Sequence, residues 1–312
     1  MASSDLVVLR AVKETVLGVT PATPALKQIR FTGESLNYNI DNTKTAEIRP
    51  DRAQTDLVQT SAKGSGDINF ELSYDSFKDF LAGLFCSAWT PGTGDQEVLV
   101  NGVTRSSWSI QKFFQDMSTP QYHTYKGCVV ESMNLKMELG KIIDGSFSFM
   151  SFGVATSPAQ IIGATFVAPP NTTPMNAVTN VQNFTIGGVP YAGCISSLSL
   201  MIKNNVRANM CIGSLQPKDM KLGELEVTGD MSFYFNEGSN YATFVAGAEF
   251  DFNFDLVDIA GNKYSIVIKR AKFESGEVVA GGKNTDVMFS AKWRGLYDSV
   301  SGNVIKMTAD PV

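Results

Sequence analysis

The chain has 312 residues, a formal net charge of −5 and a single histidine, His123. At roughly 150 residues per domain this length predicts about two domains, and 43% apolar against 18% charged residues is typical of a chain that builds a core. The negative charge argues against a basic nucleic-acid footprint. One histidine leaves little basis for a histidine-ligated metal site or for histidine catalysis.

The cysteines and the hydrophobic segments indicate the compartment. The four cysteines, Cys86, Cys128, Cys194 and Cys211, lie far apart in the chain, and we interpret them as buried thiols of a reducing compartment. No apolar stretch approaches the roughly 20 residues of a membrane-spanning helix, and the first residues lack the features of a secretory signal. We therefore expect a soluble protein that is made in the cytoplasm and has no membrane partner.

Strand patterns dominate along the chain. Apolar and polar residues alternate nearly strictly in several segments, which favours half-buried β-strands. These segments are 68–72, 133–139, 225–235, 250–256, 264–268 and 287–293. Helical spacing occurs at about 74–85, where Ser73 or Asp75 could cap the start, and over a shorter stretch at 239–246.

A long uncharged segment separates two halves. No charged residue occurs between Asp144 and Lys203, and this gap contains Pro158, Pro169, Pro170 and Pro174. Prolines at these positions exclude a helix or a central strand. We predict a first domain over 1–152, an ordered and partly extended linker over 153–183, and a second domain over 184–312.

The two halves read as repeats. Gly66-Asp67-x-x-Phe70 recurs as Gly229-Asp230-x-x-Phe233, and Phe80-Leu81-Ala82-Gly83 recurs as Phe244-Val245-Ala246-Gly247. Ser35-Leu36 matches Ser197-Leu198, and Glu131-Ser132 matches Glu274-Ser275 after a longer loop at 88–107 in the first half. Each half also has a long polar excursion between its first two strands, at 39–66 and at 203–221. Loops of that length in a compact domain are usually functional.

Enzyme motifs are not found. Gly-x-Ser-x-Gly does not occur, and Gly64-Ser65-Gly66 precedes a strand rather than a phosphate-binding helix. His123 lies in the loop-like run 119–125. We expect no catalytic residue, no cofactor and no metal.

Acidic residues follow several predicted strand faces. Asp67 and Glu71 share one face and Glu226 and Asp230 share another, while Glu249, Asp251 and Asp255 follow a third strand. The simplest interpretation is a solvated face. The alternative is a negative wall along a channel, which would repel phosphates and let DNA slide without binding.

Several motifs in the first half resemble the major tail tube proteins of long, non-contractile-tailed bacteriophages. They are the run Arg30-Phe-Thr-Gly-Glu-Ser-Leu36, Glu47-Ile-Arg-Pro-Asp-Arg52, Asp56-Leu-Val58, the stretch 66–80 and the N-terminal stretch 12–24. The match covers about residues 10–90. It departs from the family at Gln59-Thr60, where we expect a glycine-bearing turn.

The resemblance implies both a fold and a role. The fold is mainly β, with two tandem tail-tube-like β-sandwich or barrel domains that each carry one flanking α-helix. Copies would form rings, and rings would stack into a tube. Inner strands of neighbouring copies would join into one continuous β-barrel around a lumen, through which DNA would pass during ejection. The implied partners are further copies of the chain, the tape measure protein, the tail terminator and the distal tail proteins, in a virion assembled in the host cytoplasm.

Two expectations about surfaces follow. Arg49, Asp51 and Arg52, at the centre of the first excursion, are candidates for contacts between rings, because arginine forks pair carboxylates bidentately. The acidic candidates for the lumen are Asp67, Glu71, Glu226, Asp230, Glu249, Asp251 and Asp255.

The ring is expected to be a trimer. Relatives with one tube domain per chain are expected to form six-fold rings, so two domains per chain predict a trimer with pseudo-six-fold symmetry. The alternative is six chains with the second half outside. Alternative functions are the inner tube of a contractile injection or secretion machine and a two-domain carbohydrate-binding or adhesin module.

Overall fold

The computed structural model describes residues 3–236 and 238–312. Met1 and Ala2, with which the predicted first domain begins, lie outside the described residues. The chain is mainly β, as predicted, and its described part contains two short α-helices.

The strands of the first half and the helix within it are β1 (Val7–Lys13), β2 (Ala25–Gln28), β3 (Gly33–Glu34), β4 (Asn37–Lys44), β5 (Leu57–Glu71), α1 (Lys78–Leu84), β6 (Thr90–Pro91), β7 (Glu97–Val100), β8 (Trp108–Phe114), β9 (Gln121–Glu138), β10 (Asp144–Ser151) and β11 (Gly153–Ser157). The later elements are β12 (Thr165–Val167), β13 (Val181–Ile186), β14 (Val189–Pro190), β15 (Ile195–Lys203), β16 (Arg207–Asn209), β17 (Asp219–Lys221), β18 (Glu226–Tyr234), α2 (Ser239–Val245), β19 (Phe250–Val257), β20 (Lys263–Ala280), β21 (Val287–Gly295) and β22 (Lys306–Asp310).

One antiparallel sheet runs through both halves, and we call it the long sheet. Its strand order is β4–β5–β10–β9–β15–β18–β21–β20. The halves meet where β9 pairs with β15, from Ser132 opposite Lys203 to Glu138 opposite Ser197. The long sheet is therefore continuous across the molecule.

Two outer sheets cover one face of the long sheet. The first has the order β12–β2–β1–β8–β9–β11, with β12 parallel to β2. The second has the order β14–β13–β19–β20–β22–β7–β6. The strands β9 and β20, each 18 residues long, belong to an outer sheet in their N-terminal part and to the long sheet in their C-terminal part.

The two long strands share a bulge at matched positions. In β9 the pairing with β10 skips Glu131, and in β20 the pairing with β21 skips Glu274. These are the glutamates that the sequence comparison aligned. A bulge bends its strand and increases the local twist, and this bend lets each strand pass from one layer to the other.

The halves repeat the same pairing order beyond these strands. In the first half, β9 has β8 on one side and β10 and β11 on the other. In the second half, β20 has β19 on one side and β21 and β22 on the other. The match of Ser35 with Ser197 is two residues out of register. A Cβ at Gly66 would collide with the Ser35 carbonyl oxygen, and one at Gly229 with that of Ser199, so Ser35 corresponds to Ser199.

The core lies between the long sheet and the outer sheets, on the apolar face that alternation predicted. Aromatic rings fill it: the Phe80 ring meets Trp108 at a centroid distance of 5.5 Å, and Phe252 meets Trp293 at 4.7 Å. One buried cluster extends through both halves. Because the apolar side chains of the long sheet pack against these rings on one face, its opposite face is left to polar residues.

Helix α1 is shorter than predicted. Asp75 has a left-handed backbone (φ 64°), and the helix begins only at Lys78. Neither predicted cap is used, because the Ser73 hydroxyl bonds the Ser76 hydroxyl instead. Helix α2 ends at Val245, one residue before the predicted end.

The first polar excursion is a hairpin rather than a loop. Strand β4 pairs with the N-terminal half of β5, and the turn is confined to residues 45–56. We call residues 39–63 the arm. The second excursion contains the small hairpin of β16 and β17 and contacts the base of the arm, where the Ala62 amide donates to the Leu215 carbonyl (2.7 Å).

The segment predicted as a linker is ordered along the first half. Its first residues form β11, which pairs with β9, so the connecting part is shorter than 153–183. Further on, Arg30 donates to the Thr172 carbonyl (2.5 Å) and the Met175 amide donates to the Leu72 carbonyl (2.8 Å). Met175 is fully buried.

A buried carboxylate supports the bend of β9. Glu14 accepts hydrogen bonds from the hydroxyls of Ser107 and Ser109 (2.7 Å each) and from the amides of Gly18 (2.8 Å) and Gly127 (2.9 Å). Gly127 has φ 64° and lies where β9 leaves the outer sheet. The carboxylate therefore connects β1, β8 and the bend.

Replacing this carboxylate with an amide tests its contribution. In Glu14→Gln one acceptor oxygen becomes a donor, so buried donors face it unpaired, and we expect a loss of about 2–4 kcal/mol in unfolding free energy. Urea denaturation followed by circular dichroism measures it, with the exposed Glu47→Gln as the matched control. A loss within about 0.5 kcal/mol, the range of ordinary surface substitutions, would contradict this role.

Candidate assembly and lumen surfaces

The free face of the long sheet is polar. Shallow depressions open on it, lined by residues of β9, β15, β18, β20 and β21, among them Asn134, Ser199, Thr228 and Ser290. Its opposite face is the apolar core face. A sheet that is buried on one side and polar on the other can form a barrel wall with solvent inside.

Four of the predicted acidic residues lie together on this polar face. Asp67 and Glu71 are on β5, and Glu226 and Asp230 are on β18. The Asp67 carboxylate accepts a hydrogen bond from the Ser148 hydroxyl (2.6 Å), and the backbone amide of Asp230 donates one to the Ser199 hydroxyl oxygen (2.8 Å). Pairing within the sheet thus positions these groups on the solvent side.

The other three acidic candidates lie elsewhere. Asp251 and Asp255 are on β19, which belongs to the second outer sheet. Asp255 is buried and accepts a hydrogen bond from Asn183 (2.8 Å). Glu249 precedes β19 and is bound by Arg270 (2.7 Å), which holds the pKa of Glu249 below its usual range. Asp251 and Asp255 therefore lie outside the long sheet, and Glu249 lies beside it, 3.6 Å from a lysine of β20.

Basic side chains share the polar face with the acidic ones, although the acidic ones are more numerous. The acidic residues on this face, outside the arm, are Asp67, Glu71, Glu138, Asp144, Glu226, Asp230, Glu274 and Glu277; the basic ones are Lys136, Lys203, Lys272, Lys292 and Arg294. Arg294 bonds Glu274, which raises the pKa of Arg294, and lies 3.9 Å from Glu226. The face is negative on balance, with ion pairs that neutralise part of it.

The arm projects from the body of the chain. Most of its residues are exposed on both faces of the hairpin, and Ile48 at its tip is fully exposed. Leu57 and Val58 are about half exposed. A two-stranded ribbon alone in water is marginally stable, so the exposed apolar residues favour contact with another molecule.

The predicted contact residues lie at the arm's tip. Arg49 forms a bidentate pair with Asp51, from Nε to Oδ1 (3.0 Å) and from Nη2 to Oδ2 (2.7 Å). This hydrogen bond raises the pKa of Arg49 and lowers that of Asp51. Arg52 is exposed and has a left-handed backbone (φ 59°). The guanidinium of Arg49 therefore has a carboxylate partner within its own chain.

The histidine and the cysteines occupy structural positions. His123 lies on β9 rather than in a loop, 5.1 Å from the Phe114 ring, and burial lowers its pKa. Cys86 and Cys128 are buried as predicted, and burial raises the pKa of Cys86 to about 11. Cys194 and Cys211 are exposed, contrary to expectation, and all four thiols are free.

The described residues form neither a metal-binding cluster nor a membrane-spanning helix. Within residues 3–236 and 238–312, His, Cys, Asp and Glu side chains do not gather in threes in a way that could hold a metal ion. In the same part of the chain, neither helix has the length and apolar character needed to cross a membrane.

Comparison with known proteins identifies the family. No curated protein matches the sequence. The family model described as phage tail tube protein matches residues 4–295, which is nearly the whole chain. This match confirms the resemblance read from the first half and extends it over the second. The chain is a structural component of the phage virion and belongs to the phage tail tube protein family.

Proposed function

We propose that copies of this chain form rings, that the rings stack into the tail tube, and that the lumen of the tube conducts DNA during ejection. The observation that carries the proposal is the long sheet, which is continuous across both halves and turns a polar face away from the core. Such a sheet supplies a section of barrel wall. Joining several sections removes the open edges that a single chain exposes.

The repeated strand order supports a ring of three chains. Each half contributes strands to the long sheet in the same order, so one chain supplies two similar wall sections. Three chains then supply six sections around a closed ring with heterologous contacts. The alternative ring of six chains would require one half to lie outside the wall.

The remaining partners follow from the proposed role. The tube ends would contact the tail terminator and the distal tail proteins, and the lumen would hold the tape measure protein before DNA passes without specific binding. Assembly would take place in the host cytoplasm.

Negative-stain microscopy of the purified protein tests the proposed function. We expect rings or tubes with a central hole. A protein that stays a dispersed monomer over a range of concentration and salt would contradict the proposal.

We propose that the arm makes the contact between stacked rings. Replacing Arg49 and Arg52 together with alanine should leave soluble, folded protein that polymerises poorly, because the tip loses both forks that could pair carboxylates on the next ring. Light scattering and microscopy measure polymerisation at physiological salt.

The Arg49–Asp51 pair provides the control for this prediction. If the pair only shapes the turn, Asp51→Ala should impair polymerisation as much as the double arginine variant. If the arginines bind the next ring, Asp51→Ala releases Arg49 and polymerises better than the double variant. Normal tubes from the double variant would remove the arm tip from the contact.

The polar face of the long sheet is proposed to line the lumen. Changing Asp67, Glu71, Glu226 and Asp230 to lysine should slow DNA ejection without preventing tube formation, because cations on the wall attract phosphates. Ejection rates of particles carrying the variant measure the effect, and the exposed Asp95→Lys is the control. Unchanged ejection would show that these residues do not face the DNA.

A further inference from the structure

The long sheet ends in two open edges. At one end β3 and β4 pair only with β5, and at the other the C-terminal part of β20 pairs only with β21, within the part of the chain that the structure describes. Every other strand of the long sheet has neighbours on both sides. Open edges of this length are sites for pairing with another chain.

The junction between the halves shows what such edges bind. Strand β9 is the counterpart of β20. The C-terminal part of β9 pairs with β15 along one side, and the same side of β20 is open. Strand β15 lies beside β18, which contains Gly229, whereas β3 and β4 lie beside β5, which contains the matching Gly66. Strand β15 is therefore the counterpart of β3 and β4. The pairing of β9 with β15 is thus an internal example of a contact that the two open edges can repeat between chains.

We propose that the open edge of β20 in one chain pairs antiparallel with the open edge of β4 in the next, with Ser275 opposite Asn39 and Glu277 opposite Asn37. This inference rests on the proposed ring. The register follows from two correspondences, Ser132 with Ser275 and Lys203 with Asn39. The partner is a second copy of the same chain.

The backbone of β4 is oriented for this contact. Ile40 lies opposite Ala62 in the pairing of β4 with β5. The Ala62 amide donates to the Leu215 carbonyl and so points away from β4, which makes this a non-hydrogen-bonded pair. The Ile40 amide therefore points away from β5, toward the open edge. At the internal junction the corresponding amide, of Asn204, donates to the carbonyl of the bulged Glu131 (2.7 Å). The Ile40 amide would accordingly donate to the carbonyl of Glu274, the matching bulge.

Local side chains occupy the edge of β4 in the single chain. The Asn37 side chain accepts from the Tyr38 amide (2.9 Å), and the Asn42 side chain donates to the Ile40 carbonyl (3.4 Å). Leu36 is more firmly bound, since its carbonyl accepts from Lys112 (2.5 Å) and Tyr125 (3.0 Å). We therefore place the intermolecular ladder at Asn37 and beyond, where only exposed asparagine side chains must be displaced.

The facing side chains fit this register. Tyr38 falls opposite Gly276, which has no side chain to obstruct the ring. On the polar face the Glu277 carboxylate falls opposite the Asn37 amide, which can donate to it. Both residues are exposed in the single chain.

Engineered disulfides test the register. Asn37→Cys with Glu277→Cys, in a background of Cys194→Ser and Cys211→Ser, places two thiols at a non-hydrogen-bonded pair with Cα atoms about 4.5 Å apart, within the range for a disulfide. We expect covalent dimers and trimers on non-reducing gels of assembled tubes, with the closed trimer as the largest product. Mixing the two single-cysteine chains should give dimers only.

Two matched pairs serve as controls. Asn134→Cys with Met201→Cys occupies the corresponding place at the internal junction and should close within one chain, without multimers. Asn39→Cys with Glu277→Cys is shifted by two residues, at roughly 7–8 Å between Cα atoms, and should cross-link poorly. Hydrogen exchange of the unmodified protein adds a readout that needs no substitution: amides within 37–40 and 274–277 should gain protection on assembly, whereas those at 92–96 should not.

The outcomes separate the junction from the proposed function. Tubes that form while Asn37→Cys with Glu277→Cys gives no multimers, or while the shifted pair cross-links better, would overturn the register and leave the tube proposal intact. Tubes in which 37–40 and 274–277 gain no protection would overturn the strand pairing itself. Failure of the unmodified protein to form rings or tubes would overturn the proposed function and this inference with it.

Discussion

The antiparallel pairing of β9 with β15 is the interaction on which the rest of the structure depends. It turns two separate sheets into one, so the apolar faces of both halves share a single core and the polar faces form one continuous surface. Within the described residues, the open edges of that sheet lie at its two far ends. A chain arranged in this way has an inside, an outside and two ends that can join, which are the properties required of a wall section in a closed ring.

The bent strands β9 and β20 make this arrangement possible. Each must serve two layers, and the bulges at Glu131 and Glu274 allow the change of direction. In β9 the bend is further supported by Glu14, whose carboxylate holds the Gly127 amide. A buried polar interaction thereby helps to fix the bend of β9.

Alternation in the sequence predicted the strands and their core faces well, because burial on one side and solvent on the other impose a period of two. It could not predict which layer a strand joins: the strand of Asp255 alternates like β18 but lies in an outer sheet. The arm was predicted as a loop because a hairpin exposed on both faces has no burial contrast. The left-handed backbone at Asp75, which delays α1, and the exposure of Cys194 and Cys211 depend on tertiary context that a single sequence does not record. The sequence repeats correctly matched Glu131 with Glu274. They matched Ser35 with Ser197, whereas the contacts of Gly66 and Gly229 show that Ser35 corresponds to Ser199.

The polar face combines an acidic excess with ion pairs such as Arg294 with Glu274. Surface pairs of this kind are screened by salt and contribute little, whereas the net negative charge of the face disfavours the approach of phosphates. The wall proposed here would therefore be weakly repulsive to DNA rather than uniformly acidic.

Image reconstruction of assembled tubes by electron cryomicroscopy tests the central claim most directly, because it determines how many chains form one ring and which strands face the lumen. The account predicts three chains per ring, with β5, β10, β9, β15, β18, β21 and β20 of each chain in one continuous wall around the lumen. A ring of six chains in which only one half of each chain reaches the lumen would contradict it.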